Sequence, residues 1–371
     1  MRIVAALVGG LLVVAVALSA ARALVIARGR TGGLPGLVDR LVDRAFVLLA
    51  RRTRDYTARD RLLAAQPVAV LGVLLVGWII GFFIGYTLLL WPWVSGFSEA
   101  AREAGSSLFT LGFATTDTTA PTVLDFLAAA TGLGIVALQI SYLPTLYAAF
   151  SRRETEVALL AARAGSPSWG PELLARTRYG ISLAEDDLVE LYRVWERWAA
   201  DIAESHTNYP ILVRFRSPQS LQSWLIGLLA VLDSAALLLA LCPSRDRIEP
   251  RFCLRMGFSA LRQIAVSVGI PADEDPDPDS EIQLSYEDYL AGVNKLVDIG
   301  FPVERSPEDA WPHFRGWRVN YEATAYALAA ATDAVPALWS GPRRWPSEPI
   351  PPIRPPARRP SGRPANYRPP S

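Results

Sequence analysis

Lysine occurs once, at Lys295, among 37 basic side chains, and the chain has only two histidines, two cysteines and two methionines. Cys242 and Cys253 are too few for a disulfide framework, and without clustered histidines they form no zinc motif. His206 and His313 stand far apart in sequence. No phosphate-cradling loop, nucleophile elbow or dinucleotide fingerprint is present. The 37 basic residues meet 36 acidic ones, a net charge of +1, so no field marks a nucleic-acid partner. Alternating strand patterns as long as the helical ones are also missing. Together these absences exclude the commoner catalytic and nucleic-acid-binding classes and leave metal and redox cofactors without a motif.

Hydrophobic residues are abundant, at 51% with a mean hydropathy of +0.22, and three N-terminal runs concentrate them. The first, Ile3 to Ala27, contains only Arg22 as a charge and exceeds the roughly 30 Å hydrocarbon thickness at about 1.5 Å per residue. A cleaved signal peptide competes with an anchor here, because Ala17-Leu18-Ser19-Ala20 resembles a processing site. Ten arginines against four aspartates between Arg22 and Arg61 favour the anchor, since basic loops stay cytoplasmic. The second run, Val68 to Trp91, carries no charge and is bounded by Pro67 and by Trp91-Pro92-Trp93, an interfacial belt. The third, Val123 to Phe150, stops at Arg152 and Arg153. These charges place the N-terminus outside, residues 93–122 outside, and the remainder in the cytoplasm of a cell whose inner membrane the chain crosses.

About thirty residues separate the second and third runs, too long for a simple turn. From Ser98 the sequence SEAAREAGSSLFT favours a short helix with acids in its first turns. It runs into Thr110-Leu111-Gly112-Phe113-Ala114-Thr115-Thr116. Non-helical backbone at membrane depth must be shielded by protein or line a water-filled space, so a re-entrant helix and an extended segment are expected.

Ser106-Ser107-Leu108-Phe109-Thr110-Leu111-Gly112-Phe113 resembles the end of the pore helix and the first filter residues of the two-span, one-pore-loop potassium channels. The resemblance covers residues 68–150. It implies transmembrane helices at 68–91 and 123–150, a pore helix at 98–110 and a filter at 110–116. It also implies potassium or another monovalent cation as permeant ion, filter carbonyls replacing ion hydration, and four chains about one axis. By the same resemblance Thr110, Leu111, Gly112, Phe113, Ala114 and Thr115 form the filter, and Glu99, Glu103 and Asp117 the outer vestibule. Gly132, Gly134 and Pro144 are candidate gating hinges. The sequence departs from the family at Ala114, where a glycine is expected, and at Thr115, where an acid is expected. A Cβ at a left-handed position costs about 1 kcal/mol or more, so a reshaped, weakly selective path or a non-conducting scaffold or sensor is expected.

The fold class is therefore all-α: a polytopic membrane protein with a helix–pore loop–helix module and a cytoplasmic α-helical domain. Residues 1–28 form the first membrane helix, 29–66 a basic amphipathic linker, 67–150 the pore module, 151–339 the helical domain and 340–371 a disordered Pro/Arg-rich tail against lipid. Ser182 to Glu185, Ser285 and Ser306-Pro307 are helix starts, and Gly300 with Pro302 is a stop. Ser223 to Cys242 is as apolar as a fourth span, but Asp233 near its middle and basic flanks favour a buried helix, with an arginine such as Arg255 as partner. Asp201, Glu204 and His206 are the single cluster where metal or acid–base chemistry is arguable, a capping role being the competing reading. Residues 273–279 alternate acids with prolines and lack the glycine of a calcium loop. Membrane lipid and sister chains are the expected partners; no cofactor and no nucleic acid is expected.

Overall fold

The computed structural model describes residues 1–24, 33–53, 55–114, 118–177, 184–245 and 247–354. The described residues are helical, with no strand and two isolated bridges, Ser166 to Ile353 and Ala337 to Ile350. Four helical segments are long and apolar enough to cross a membrane, and three of them expose much of their apolar surface.

The first is α1, Arg2–Leu24, which packs along α4, Gln66–Leu90. Small residues allow this close approach: a Cβ on Gly9 would lie 2.6 Å from the carbonyl oxygen of Gly85, and one on Gly81 would lie 2.7 Å from Val16. Backbones that close gain dispersion contact where lipid offers no hydrophobic drive. Trp78, fully buried, donates its indole N–H to Ser19 Oγ at 3.2 Å. At the opposite end, Arg2 donates to the carbonyls of Val94 and Ser95. Within 29–66, expected as a basic amphipathic linker, lie two helices, α2 Gly33–Ala50 and α3 Tyr56–Ala64, the latter capped by Asp55, which accepts from the Ala58 amide at 2.8 Å.

The short helix α5, Phe97–Leu108, sits between α4 and α6, Thr119–Ala164. Helix α6 is 46 residues long and does not stop at Arg152 and Arg153, as the sequence suggests. Arg153 is fully buried because the helix continues into the C-terminal body.

That body comprises α7 Gly170–Thr177, α8 Ala184–Asn208, α9 Trp224–Leu241, α10 Ile248–Ser267, α11 Tyr286–Asp298, α12 Pro307–Arg318 and α13 Glu322–Thr332. Helices α11 and α12 begin on Ser285 and Ser306, each accepting from the backbone amide three residues later at 3.1 Å. Helix α9 is the centre of the body; every residue except Leu239 is buried, under α7, α8, α10, α12 and α13. A helix so covered has no face left for lipid. Asp233, on α9, meets Arg318 and Tyr321 rather than Arg255. Arg318 also donates to Glu322, to the Tyr326 hydroxyl and to the Trp339 carbonyl, so each of its three guanidinium nitrogens has a partner.

The expected disordered tail is corrected for its first part. Arg343 is buried and donates to the carbonyls of Ala334, Val335 and Ser340. Ile350 and Ile353 donate backbone hydrogen bonds to Pro336 and Ser166. These backbone bonds strap residues 350–353 across the body. Residues 355–371 lie outside the described residues.

Candidate pore segment and its supports

Helix α5 ends in a Schellman arrangement. The Leu111 amide donates to the Ser106 carbonyl at 2.7 Å and the Thr110 amide to the Ser107 carbonyl at 3.0 Å, with Thr110 at φ +55°. Glycine is the usual occupant of that left-handed position, and threonine there is strained by about 1 kcal/mol. Gly112 is also left-handed, at φ +70°, whereas Ala114 is not. The strain expected at Ala114 thus falls on Thr110.

Ser106 organises the segment that follows. Its carbonyl accepts from Leu111 and, at 3.5 Å, from Gly112; its Oγ accepts from the amides of Phe113 at 3.0 Å and Ala114 at 3.1 Å. A planar trans peptide points its C=O opposite to the next N–H. Four successive amides converging on Ser106 therefore turn the carbonyls of Thr110, Leu111, Gly112 and Phe113 away from the helix, toward the open side. Phe109, Leu111 and Phe113 are all more than half exposed there. The Arg102 guanidinium lies 5.9 Å from the Phe113 ring centroid.

The supports come from α4 and α6. Ser107 donates to Asp125 Oδ1 at 2.6 Å, and the hydroxyls of Tyr86 and Thr131 are 2.8 Å apart. Gly132 lies against the Leu108 carbonyl, so its absent side chain is what lets α6 approach the end of α5. Gly134 faces open space and Pro144 sits inside an uninterrupted helix, so neither marks a break. Sequence reasoning did not single out Ser106, Ser107 or Asp125 for these roles; the paired serines in the last turn of the helix were the available signal.

Among the expected vestibule acids, Glu99 accepts from the amide and hydroxyl of Ser95, and Glu103 is buried. Glu99 therefore caps its own helix start. Asp117, Thr115 and Thr116 lie outside the described residues.

The chain matches no family model, no curated protein and no solved structure.

The Asp201, Glu204 and His206 side chains diverge. Asp201 pairs with Arg152 at 3.1 Å, and Glu204 accepts from Asn208 at 2.7 Å. His206 is fully buried, with Nε2 3.0 Å from the Arg153 guanidinium. Burial and the neighbouring Arg153 hold its imidazole well below the ordinary pKa, so Nε2 is the acceptor. Arg153 further donates to Glu154 and to the carbonyls of Leu212 and Phe215. The Arg152 and Arg153 contacts fasten α6 to the body. Among the described residues no group of three or more His, Cys, Asp or Glu is placed to hold a metal ion.

Proposed function

We propose that the chain is one subunit of a channel-like membrane protein that passes or regulates the passage of monovalent cations such as potassium. The observation that carries this reading is the row of carbonyls from Thr110 to Phe113, turned to one side by the four amides gathered on Ser106. Aligned carbonyl dipoles can stand in for the water around a cation. One chain supplies one such row, so a closed path needs further copies, and four about one axis is the arrangement the resemblance implies. The exposed apolar residues of α6, among them Leu133 and Ile140, then meet sister chains or lipid. In this reading the N-terminus is outside, the C-terminal body is in the cytoplasm, and the membrane is the inner one. Ala114, where the resemblance expects a glycine, favours weak selectivity.

The test is cation flux from liposomes carrying the purified full-length protein. The expected result is flux that Thr110→Ala and Gly112→Ala alter, the latter because any Cβ at φ +70° is strained. Absence of flux under voltage, pH and osmotic challenge rejects conduction. It would leave a scaffold or sensor acting through the C-terminal body, a reading favoured by the continuity of α6 into that body.

A further inference from the structure

A cavity of about 930 Å³ lies where α1, α2 and α4 meet the turn Pro210–Arg214 of the C-terminal body. Its two ends differ in chemistry. Leu12 and Val16 of α1 line the apolar end, whereas the other, beyond the Ser19–Trp78 contact, holds Arg22, Asp39 and Arg214 beside Val70 and Leu74 of α4. Leu12 and Arg22 are ten residues apart on one helix, about 15 Å at the helical rise. That is half of the roughly 30 Å hydrocarbon thickness, so the cavity reaches from the membrane midplane to one surface.

The charged end is unevenly satisfied. Asp39 is held by Arg214 at 3.0 Å, and Arg214 also reaches Asp43 at 2.8 Å, so these groups neutralise one another. Arg22, in the last turn of α1, has no ion pair or hydrogen bond among the described residues. An arginine at a helix end extends its head to the interface, where lipid phosphates lie. An apolar slot one leaflet deep, capped by an uncommitted guanidinium, matches one molecule chemistry: a hydrocarbon chain joined to an anion. Water is a poor occupant of the apolar end, which offers it no partners.

We infer that this cavity holds an acyl chain of an anionic phospholipid from the leaflet nearer the C-terminal body, with its phosphate on Arg22. The lipid fills the gap between the α1–α4 pair and the turn Pro210–Arg214, and so joins membrane helices to body. This binding does not depend on conduction, and its readout is not flux.

The experiment takes full-length protein from nanodiscs of equal parts phosphatidylglycerol and phosphatidylcholine into detergent and counts retained lipids by native mass spectrometry. Wild type is expected to keep phospholipid on each chain, enriched in phosphatidylglycerol. Ala15→Trp and Ala23→Trp, each placing an indole in the cavity, are expected to lose it. Arg22→Gln is expected to keep a lipid without headgroup preference. Unchanged retention in both tryptophan variants, or unchanged preference in Arg22→Gln, overturns the inference. Should the tryptophan variants not fold, wild type reconstituted with a photoreactive acyl-chain phosphatidylglycerol decides. Crosslinks to α1 and α4 peptides facing the cavity support the site, and crosslinks confined to other faces overturn it.

Discussion

Gly132 of α6 lies so close to the Leu108 carbonyl of α5 that a Cβ on it would stand 1.9 Å from the oxygen. No real Cβ tolerates that distance, so any side chain at Gly132 must push the two helices apart. Gly132→Ala is expected to lower stability by about 1–3 kcal/mol, the usual cost of overpacking. Gly134→Ala, two residues on and in open space, is expected to be neutral or to gain up to about 1 kcal/mol of helix propensity. Thermal unfolding of both variants in one detergent checks the contrast; equal effects would show that α5 does not rest on α6 in this way.

Glu172 is buried and meets Lys295 at 2.5 Å, Arg354 at 2.6 Å and Arg176 at 3.0 Å. Burial alone would raise its carboxyl, but hydrogen bonds from Arg354, Lys295 and Arg176 hold it down, to about 2. A depressed carboxyl contributes stability that is complete above the unfolded value of 4.5 and fades as pH falls toward about 2. Glu172→Gln is expected to destabilise the protein at pH 7 and to speed amide exchange at Ile350 and Ile353. The difference from wild type should shrink below pH 4.5.

His206 has a linkage of the same sign, in a higher pH window. Its folded pKa is depressed, so below about 6.5 the unfolded chain binds a proton that the folded chain does not. Stability is then lost as pH falls, at about 1.4 kcal/mol per unit. His206→Gln, which keeps an acceptor for Arg153, is expected to flatten the dependence of melting temperature between pH 6.5 and pH 5. An identical slope in the variant would mean that His206 binds its proton equally in the folded and unfolded protein.

Arg318 and Asp233 are both fully inside the C-terminal body. Arg318→Met leaves the Asp233 carboxylate without its cation, at an expected cost of about 3–5 kcal/mol. The double replacement Asp233→Leu with Arg318→Met is expected to cost less than the single one, because only Glu322, which keeps the Gln283 and Leu284 amides, then lacks the cation. Denaturant unfolding followed by tryptophan fluorescence gives both values.

The membrane helices were legible because their signals are local. The uncharged run from Val68, Pro67 before it and the tryptophans after it bound a helix observed at Gln66–Leu90. The helix-forming stretch from Ser98 became α5, within two residues at each end. What escaped depends on distant partners. Asp233 could be read as needing a cation, but Arg318 is 85 residues away, and nothing local ranks it above Arg255. Arg153 reads as a charge that ends a span, yet it is buried because the Leu212 and Phe215 carbonyls are brought to it. Residues 340–354 read as disordered from their prolines and arginines. They are ordered because Arg343 finds a cage of carbonyls and Arg354 finds Glu172. A non-helical segment after α5 was legible, while the hydrogen bonds that turn residues 111–114 were not, since Ser106 makes them through side-chain and backbone acceptors together.

Helix α6 spans most of the molecule's length as one continuous element. Its 46 residues, at a rise of about 1.5 Å each, make a rod of about 69 Å. Gly132 touches the end of α5 near one end of that rod, and Arg153 is clamped inside the C-terminal body toward the other. One continuous helix thus bears both on the Leu108 carbonyl, two residues before the left-handed Thr110, and on the Arg153 clamp of the body.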